Sequence, residues 1–471
     1  MEVTVTARIR WWTFAIVCLA LFMAMLDNLV VITALPSIRK ALGASVSDLE
    51  WTVNAYTLAF ATLMITGAAL GDLFGRKRVF LIGVGLFTVG SALAALSGTA
   101  LQLEGARALQ GLGAAFLTPL TLTILTRVFP EEQRAAVIGL WAGVSGLGLA
   151  IGPLVGGAVI NGLVWNAIFW INVPVGILVL LLGGLRLEES FGPKQRLDVP
   201  GVVLAGFGLL GITFGLVRGN SLGWGSAAIL GALIAGVLLL IGFVARERTA
   251  AAPMLDLRLF RARGFSAANV SGFMMSAGMF GSIFLLTLYV QQVLGASPLK
   301  AGLETLPWTG TIMLVAPVAG ILAGRIGPRP VVVTGLAAQA AALLWIALVS
   351  TATSGYAPIL PAFILGGIGM GLTFAPLSES VMGAVTHDRQ GQASGAYNAI
   401  RELGGVFGVA VLGAVFQHVA PSPLQFMSGF HAALFAGTAV VLAGAAAGTL
   451  LPVRSKRDQL EPALIPEEAV A

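Results

Sequence analysis

The chain has 471 residues, 57% of them hydrophobic and only 10% charged, with a mean hydropathy of +0.93. Soluble domains carry about 25% charge, so no soluble core could hide this much apolar surface and lipid must be the solvent. The formal net charge of +6 does not point to nucleic acid, because the cations sit in short breaks between apolar runs and form no long basic face.

In chain order, apolar runs fall at 11–36, 48–72, 79–98, 101–127, 135–160, 165–186, 198–218 and 225–245, then at 266–293, 298–323, 329–350, 355–380, 393–419 and 429–452. Backbone groups in lipid must be satisfied within a helix or a closed barrel. The alternation and short turns of a barrel are absent, so the reading is an all-α polytopic membrane protein of fourteen transmembrane helices. The first run is too long for a signal-peptide core and contains Asp27, so it is read as a retained helix. The tail after residue 453, RSKRDQLEPALIPEEAVA, is polar and holds prolines; it is expected to be disordered in the cytoplasm. Cys18 is the single cysteine, which excludes an intrachain disulfide and leaves the redox compartment open. His387, His418 and His431 show no metal-ligand spacing, and no metal is expected.

Charge sets the sidedness. With Arg8 and Arg10 in the cytoplasm, 21 of the 27 Lys and Arg lie in cytoplasmic breaks or the tail, four lie outside (Arg39, Lys40, Arg218, Lys300), and Arg107 and Arg401 lie within spans. That asymmetry follows the positive-inside rule and puts both termini in the cytoplasm. The chain also repeats itself. GDLFGRKRVF after the second run has a weaker partner in AGRIGPRPVV at 323–332, and RALQGLGAAFLTPL resembles ILGGIGMGLTFAPL at 364–377 with a slip of about one residue. Two six-helix halves, 1–190 and 251–453, with two inserted helices in 191–250 and a tail at 454–471, fit the count. Related halves around a central site are a recurring transporter plan.

The motifs, taken along the chain, start with LDNLVVITALP from Leu26 to Pro36. In the break after the second run, Gly71 and Gly75 permit close approach and a tight turn, Asp72 can accept from backbone N–H groups or an Arg, and Arg76, Lys77 and Arg78 hold the loop inside. The fourth run carries LEGARALQGLGAA from Leu103 to Ala115, the fifth GLAIGPLVGG from Gly148 to Gly157, and the sixth FWINVPVG from Phe169 to Gly176. The thirteenth opens within HDRQGQASGAYNAIRELGGVFGVAVLGAVF.

GDLFGRKR resembles the loop between helices two and three of the major facilitator superfamily, although Ala68 stands where that pattern has Gly. The helix-four stretch fits the family motif through Arg107, Gln110, Gly111 and Gly113. The helix-five stretch resembles the motif associated with antiporters. LDNLVVITALP resembles the first-helix motif of the fourteen-helix drug:proton antiporters, with Leu29 and Ile32 where Thr and Asn are usual. FWINVPVG matches through Asn172 and Pro174. The resemblance covers the chain to about residue 452. It implies the major facilitator fold, a conformational latch at Gly71, Asp72, Gly75, Arg76 and Lys77, and a proton-coupling role for Arg107.

Residue chemistry runs beside that resemblance. An ionised carboxylate in hydrocarbon is costly, so Asp27, past the middle of the first run, is expected to load and release a proton; a structural Asp bonded to a neighbouring helix is the alternative. Glu104 and Arg107 are three apart and can share a helix face, as an ion pair or as part of the coupling. Glu379, in APLSES, is a second candidate proton or cation site. Arg401 and Glu402 are a candidate ion pair or gate. Gly148, Gly152, Pro153, Gly156 and Gly157 read as a hinge and seal, with ordinary membrane packing as the alternative. Met274, Met275, Met279, Phe280 and Tyr289 in the ninth run could form an adaptable pocket, or simply pack.

The sequence therefore reads as a proton-driven exporter of small amphipathic or cationic molecules in the cell membrane, monomeric, working by alternating access against surrounding lipid. No Walker-type loop is present, so the proton motive force replaces any cofactor. The helix-five motif argues against uptake. A transporter of a specific metabolite or lipid is the near alternative. A membrane enzyme would want a His/Asp/Ser constellation and a sensor an appended soluble domain, and neither is visible.

Overall fold

The computed structural model describes residues 7–192, 198–250, 253, 255–385 and 390–453. Lys194, Arg196, His387, Arg389 and the tail 454–471 lie outside the described residues.

Fourteen described helices are long and apolar enough to cross a membrane. They are α1 Ala7–Leu42, α2 Val46–Phe74, α3 Arg76–Ala95, α4 Ala100–Val128, α5 Glu131–Gly162 and α6 Ala167–Arg186, the last interrupted at Ile171. Then come α7 Val199–Leu222, α8 Ala227–Thr249 and α9 Arg263–Val293, whose final stretch Tyr289–Val293 widens into a π turn. The remainder are α10 Pro298–Ile326, α11 Pro328–Val349, α12 Leu360–Gly383, α13 Gln390–Val419 and α14 Phe426–Gly448. Each expected run overlaps its helix, with ends that differ by a few residues. The twelfth starts late, at Leu360, because Tyr356–Ile359 form a separate turn whose Tyr356 hydroxyl donates to the Glu304 carbonyl at 2.6 Å.

Local chemistry sets the ends. Ser45 caps α2 by accepting from the Asp48 N–H at 3.2 Å, while Asp48 accepts from the Ser45 N–H at 2.9 Å, a reciprocal capping box. Thr99, Ser226 and Ser297 cap α4, α8 and α10 one-sidedly, each side chain accepting from a backbone N–H. The helices alternate in direction. We call the end holding the α2–α3 and α10–α11 turns the near end, and the end holding the α1–α2 and α3–α4 turns the far end.

The first six and last six helices pack on one plan. α4 is gripped by α2 and α3, and α12 by α10 and α11. Gly111 of α4 lies on the Tyr56 carbonyl of α2, and Gly367 of α12 lies on the Trp308 carbonyl of α10. Gly113 seats between Gly83 and Phe87 of α3, and Gly369 between Gly335 and Gln339 of α11. The α2–α3 and α10–α11 turns each pivot on one glycine at positive φ, Gly75 at 107° and Gly327 at 87°, a region that L side chains avoid. The sequence repeat is therefore a repeat of helix crossings. Between the two sets, α7 packs on both α2 and α13, and α8 packs chiefly on α7.

The two sets meet at the far end through named contacts. Gly157 of α5 lies against Pro298 and Leu299 of α10, and Gly302 of α10 lies against Pro153 and Leu154 of α5. Gln291 Nε2 donates to the Thr33 carbonyl at 2.8 Å, and Arg39 donates to Gln292 at 3.1 Å.

These crossings predict a steep size limit. A Cβ on Gly113 would meet the Phe87 backbone, whereas one on Gly85 meets nothing within 4 Å. Overpacking typically costs about 1–3 kcal/mol. Gly113→Leu should melt several degrees below wild type in detergent, followed by tryptophan fluorescence, while Gly85→Leu should not. Equal melting of the two would contradict the crossing.

Candidate functional site

Five helices of the first six converge on one buried polar cluster. α1 supplies Asp27, α3 Ser91, α4 Arg107 and Gln110, and α6 Asn172, which opens the second segment after the break at Ile171. Asp27 and Arg107 are 2% and 1% exposed. Arg107 Nη1 donates to Asp27 Oδ2 and, at 2.8 Å, to Gln110 Oε1; its Nε donates to the Thr52 carbonyl of α2 at 3.1 Å. Asn172 Nδ2 donates to Asp27 Oδ1 at 2.8 Å and Gln110 Nε2 to the same oxygen at 3.3 Å. Gln110 also donates to Ser91 Oγ at 2.7 Å. The guanidinium carbon sits 4.3 Å over the Tyr56 ring.

A buried charge pair is tolerable only when the remaining lone pairs and protons are also met. Here both oxygens of Asp27 accept, and Arg107 is held by carboxylate, amide, carbonyl and aromatic face together. Asp27 is thus not a lone acid in hydrocarbon; its setting is an ion pair wrapped in amides. Asn172 and Gln110 are visible in the sequence only as motif letters, and Ser91 and Tyr56 carry no motif signal.

Glu104 does not join this cluster. Positions three apart are about 60° apart around a helix, enough for Arg107 to turn inward while Glu104 reaches Arg218 of α7 at 3.9 Å. Arg218 is held more closely by Asp48, at 2.9 Å. The expected shared face of Glu104 and Arg107 is replaced by this tie to α7.

The fifth helix packs on the α1 segment that carries Asp27. Gly148, Gly152 and Gly156, spaced by four, form a ridge against Phe22–Leu26, Leu26–Val30 and Val30 of α1. The ridge flanks Asp27 along the α1–α5 crossing, as small-residue stripes do in membranes. Gly157 and Pro153 face α10 instead. One helix therefore contacts both the segment around Asp27 and the far-end seam.

At the near end, Asp72 accepts from Arg76 Nε at 2.8 Å, and the Arg76 N–H donates to the Ser190 carbonyl at 2.9 Å. Glu189, after α6, accepts from the Lys77 N–H at 2.9 Å and the Arg78 N–H at 3.3 Å, capping the start of α3. Lys77 Nζ donates to the Gly184 carbonyl at 2.9 Å. A Cβ on Gly75 would strike the Glu189 carboxylate, and one on Gly192 would strike Asp72. The GDLFGRKR turn is thus tied to the end of α6. Glu189 carries no motif signal in the sequence, since the positive-inside rule weighs only the Lys and Arg of that break.

The other candidates lie apart. Glu379 is exposed at the near end of α12. Arg401 pairs with its neighbour Glu402 at 2.8 Å and lies 4.8 Å over the Phe374 ring of α12. Met275, Met279 and Tyr289 are core residues; Tyr289 stacks on Phe430 at 4.7 Å and donates to the Thr351 carbonyl at 2.9 Å. A mostly apolar cavity lies instead between α1, α5, α9, α10 and α12, lined by Leu29, Thr33, Pro153, Thr287, Thr305, Trp308 and Phe363 among others.

Breaking a buried pair by deleting one partner costs about 3–5 kcal/mol, while replacing both is far milder. Arg107→Ala should therefore destabilise the protein strongly in denaturant unfolding, and the double variant Asp27→Asn/Arg107→Gln should recover much of the loss. If single and double variants unfold alike, the pair is not what holds these helices.

Residues 17–409 match the family described as Major Facilitator Superfamily. The chain is 36% identical to the tetracenomycin C resistance and export protein of Streptomyces glaucescens over 86% of this chain and 76% of that one. It is 37% identical to the cephamycin export protein of Amycolatopsis lactamdurans over 93% of this chain and 92% of that one. A solved bacterial homologue of the human lysosomal transporter Spinster shares the fold, with a TM-score of 0.70, 15% identity, and coverage of 98% of this chain and 100% of that one. With fourteen apolar helices, a repeated plan of crossings and this match along most of its length, the chain belongs to the Major Facilitator Superfamily and is a multi-pass cell-membrane transporter.

Proposed function

We propose that the protein exports small amphipathic or cationic molecules by alternating access, in exchange for protons. Export is supported by the two relatives named for antibiotic export, which run along most of the chain. Proton coupling is carried by one observation: an acid–base pair buried in the first six helices, against the glycine ridge of the helix that also makes the far-end seam.

The near end, with Arg76, Lys77, Arg78, Arg127, Arg186 and most other described cations, faces the cytoplasm, and the far end faces out. Residues 1–190 and 251–453 act as the two moving halves, and 191–250 supply the inserted pair. A proton arriving from outside neutralises Asp27. Arg107 then loses its charge partner and the α1–α4 tie weakens. α1 shifts on Gly148, Gly152 and Gly156, and α5 carries that shift to its seam with α10. The near-end turn at Gly71, Asp72, Gly75, Arg76 and Lys77 holds α2, α3 and α6 as one unit while the halves rock. Arg401 and Glu402 gate the approach along α13, and Glu379 and Glu104 offer acidic stations at the near and far ends. Movement of charge adds about 2.3 kcal/mol per elementary charge per 100 mV. The unit acts as a monomer in lipid, and the cavity beside Trp308 accepts the apolar part of the cargo.

The test is coupled exchange in proteoliposomes under an imposed pH gradient, with a panel of cationic dyes and drugs. Wild type should exchange dye for protons, and Asp27→Asn should lose at least about tenfold of the rate, in line with loss of a proton-transfer group. Undiminished exchange by Asp27→Asn would remove Asp27 from the coupling.

A further inference from the structure

We propose that Glu50 is a second proton-binding site, seated in the α2–α13 seam, and that its proton holds the far end shut. The proposal rests on the alternating-access reading above, but not on the role given to Asp27.

Glu50 is fully buried, at 0% exposure. It stands on α2, in the first six helices, and its carboxyl reaches α13, in the last six. Gln417 Nε2 of α13 donates to Glu50 Oε1 at 2.6 Å. The carboxyl rests directly on Gly413, one turn before Gln417, where any Cβ would collide with it. Glycine at that point makes the seat. Glu50 Oε2 has no hydrogen-bond partner among the described residues, and neither amide atom of Asn54, one turn along α2, has one. A buried polar atom left unpaired is costly, and three within one turn mark a polar pocket inside an otherwise apolar seam.

The charges facing this corner do not balance. α2 brings Asp48 as well as Glu50, α4 brings Glu104, and α7 brings Arg218. Arg218 is committed to Asp48 at 2.9 Å and reaches Glu104 at 3.9 Å. α13 contributes the neutral Gln417 at the carboxyl, and its His418 is exposed. Three carboxylates thus share one guanidinium. Glu50 has no ion-pair contact with that guanidinium among the described residues and no solvent, and a buried carboxyl without a counter-ion is the member that must carry a proton. The proton resides on Oε2, the free oxygen; its loss breaks that O–H bond and passes the proton to water, leaving an anion that needs hydration.

The consequence is directional. With Glu50 neutral, α2 and α13 stay closed over it. Once it ionises, the anion demands water, and the seam must part at the far end to supply it. Low pH favours the closed far end and high pH the open one. α7 lies over the same seam, with Asn220 donating to the Ala414 carbonyl at 2.7 Å and Ser47 to the Val217 carbonyl at 3.3 Å. The inserted helix therefore shields the site from lipid.

Spin labels at Leu163→Cys and Leu424→Cys, both exposed at the far end, report the separation by pulsed electron resonance in nanodiscs, in a Cys18→Ala background. In otherwise wild-type protein the far-open fraction should rise roughly tenfold between about pH 5 and pH 9, the range across which a buried carboxyl titrates. Glu50→Gln, neutral at every pH, should stay closed throughout, and Glu50→Asp should restore a pH-dependent shift. Gly413→Ala, which keeps the acid but fills its seat, should be open across the range and covers the case in which Glu50→Gln does not fold. No shift in wild type, an unaltered shift in Glu50→Gln, or a closed far end in Gly413→Ala overturns the proposal. Normal exchange by Asp27→Asn in liposomes would defeat the Asp27 assignment while leaving this result as it stands.

Discussion

A charge placed among apolar helices must find its opposite and a full set of hydrogen bonds, or the helix that carries it cannot stay where it is. Asp27 and Arg107 meet that condition by recruiting five helices at one point: the carboxylate from α1, the guanidinium and an amide from α4, a hydroxyl from α3, an amide from α6 and a carbonyl and ring from α2. The arrangement of the first six helices follows from this requirement more than from any apolar stripe, since lipid and leucine are equally greasy and give helices little reason to choose one another.

The second set of six is built on the same crossings without that constraint. Tyr56 and Trp308 occupy matching places beneath Gly111 and Gly367, and four residues before those glycines stand Arg107 and Phe363. Where the first set has a cation over a tyrosine at 4.3 Å, the second has Phe363 edge-on to Trp308 at 5.9 Å. The repeat has been divided between two tasks, with charge on one side and an aromatic wall of the apolar cavity on the other. α5 joins them. Its Gly148–Gly152–Gly156 ridge rides on α1 beside Asp27, Gly157 presses on Pro298 and Leu299 of α10, and Pro153 packs on Gly302 and lines the apolar cavity with Trp308. The inserted α7 adds a third contact, leaning on both α2 and α13.

Helix number was legible in the sequence because it depends on run length, a one-dimensional quantity. The glycines of the repeat were legible as letters, and in the structure Gly111 and Gly113 correspond to Gly367 and Gly369. Partnerships were not legible. Arg107 has Glu104 three residues away, yet its partner is Asp27, eighty residues off, because helix packing and not local spacing decides which face turns inward. Glu189 caps α3 from beyond α6, and Glu50 meets Gln417 across nearly the whole chain. Acids in loops and at helix starts carry no topological signal, so charge sidedness says nothing of Glu189 or Glu50.

The central claim is that proton occupancy of a buried carboxyl decides which way this bundle opens. Infrared difference spectroscopy on the protein in lipid, triggered by adding a transported cation, reads that occupancy directly through the carbonyl stretch of a protonated acid. The account requires a carboxylic-acid band that changes on cargo binding and is altered in both Asp27→Asn and Glu50→Gln. A difference spectrum with no such band, or one identical in wild type and both variants, would contradict it.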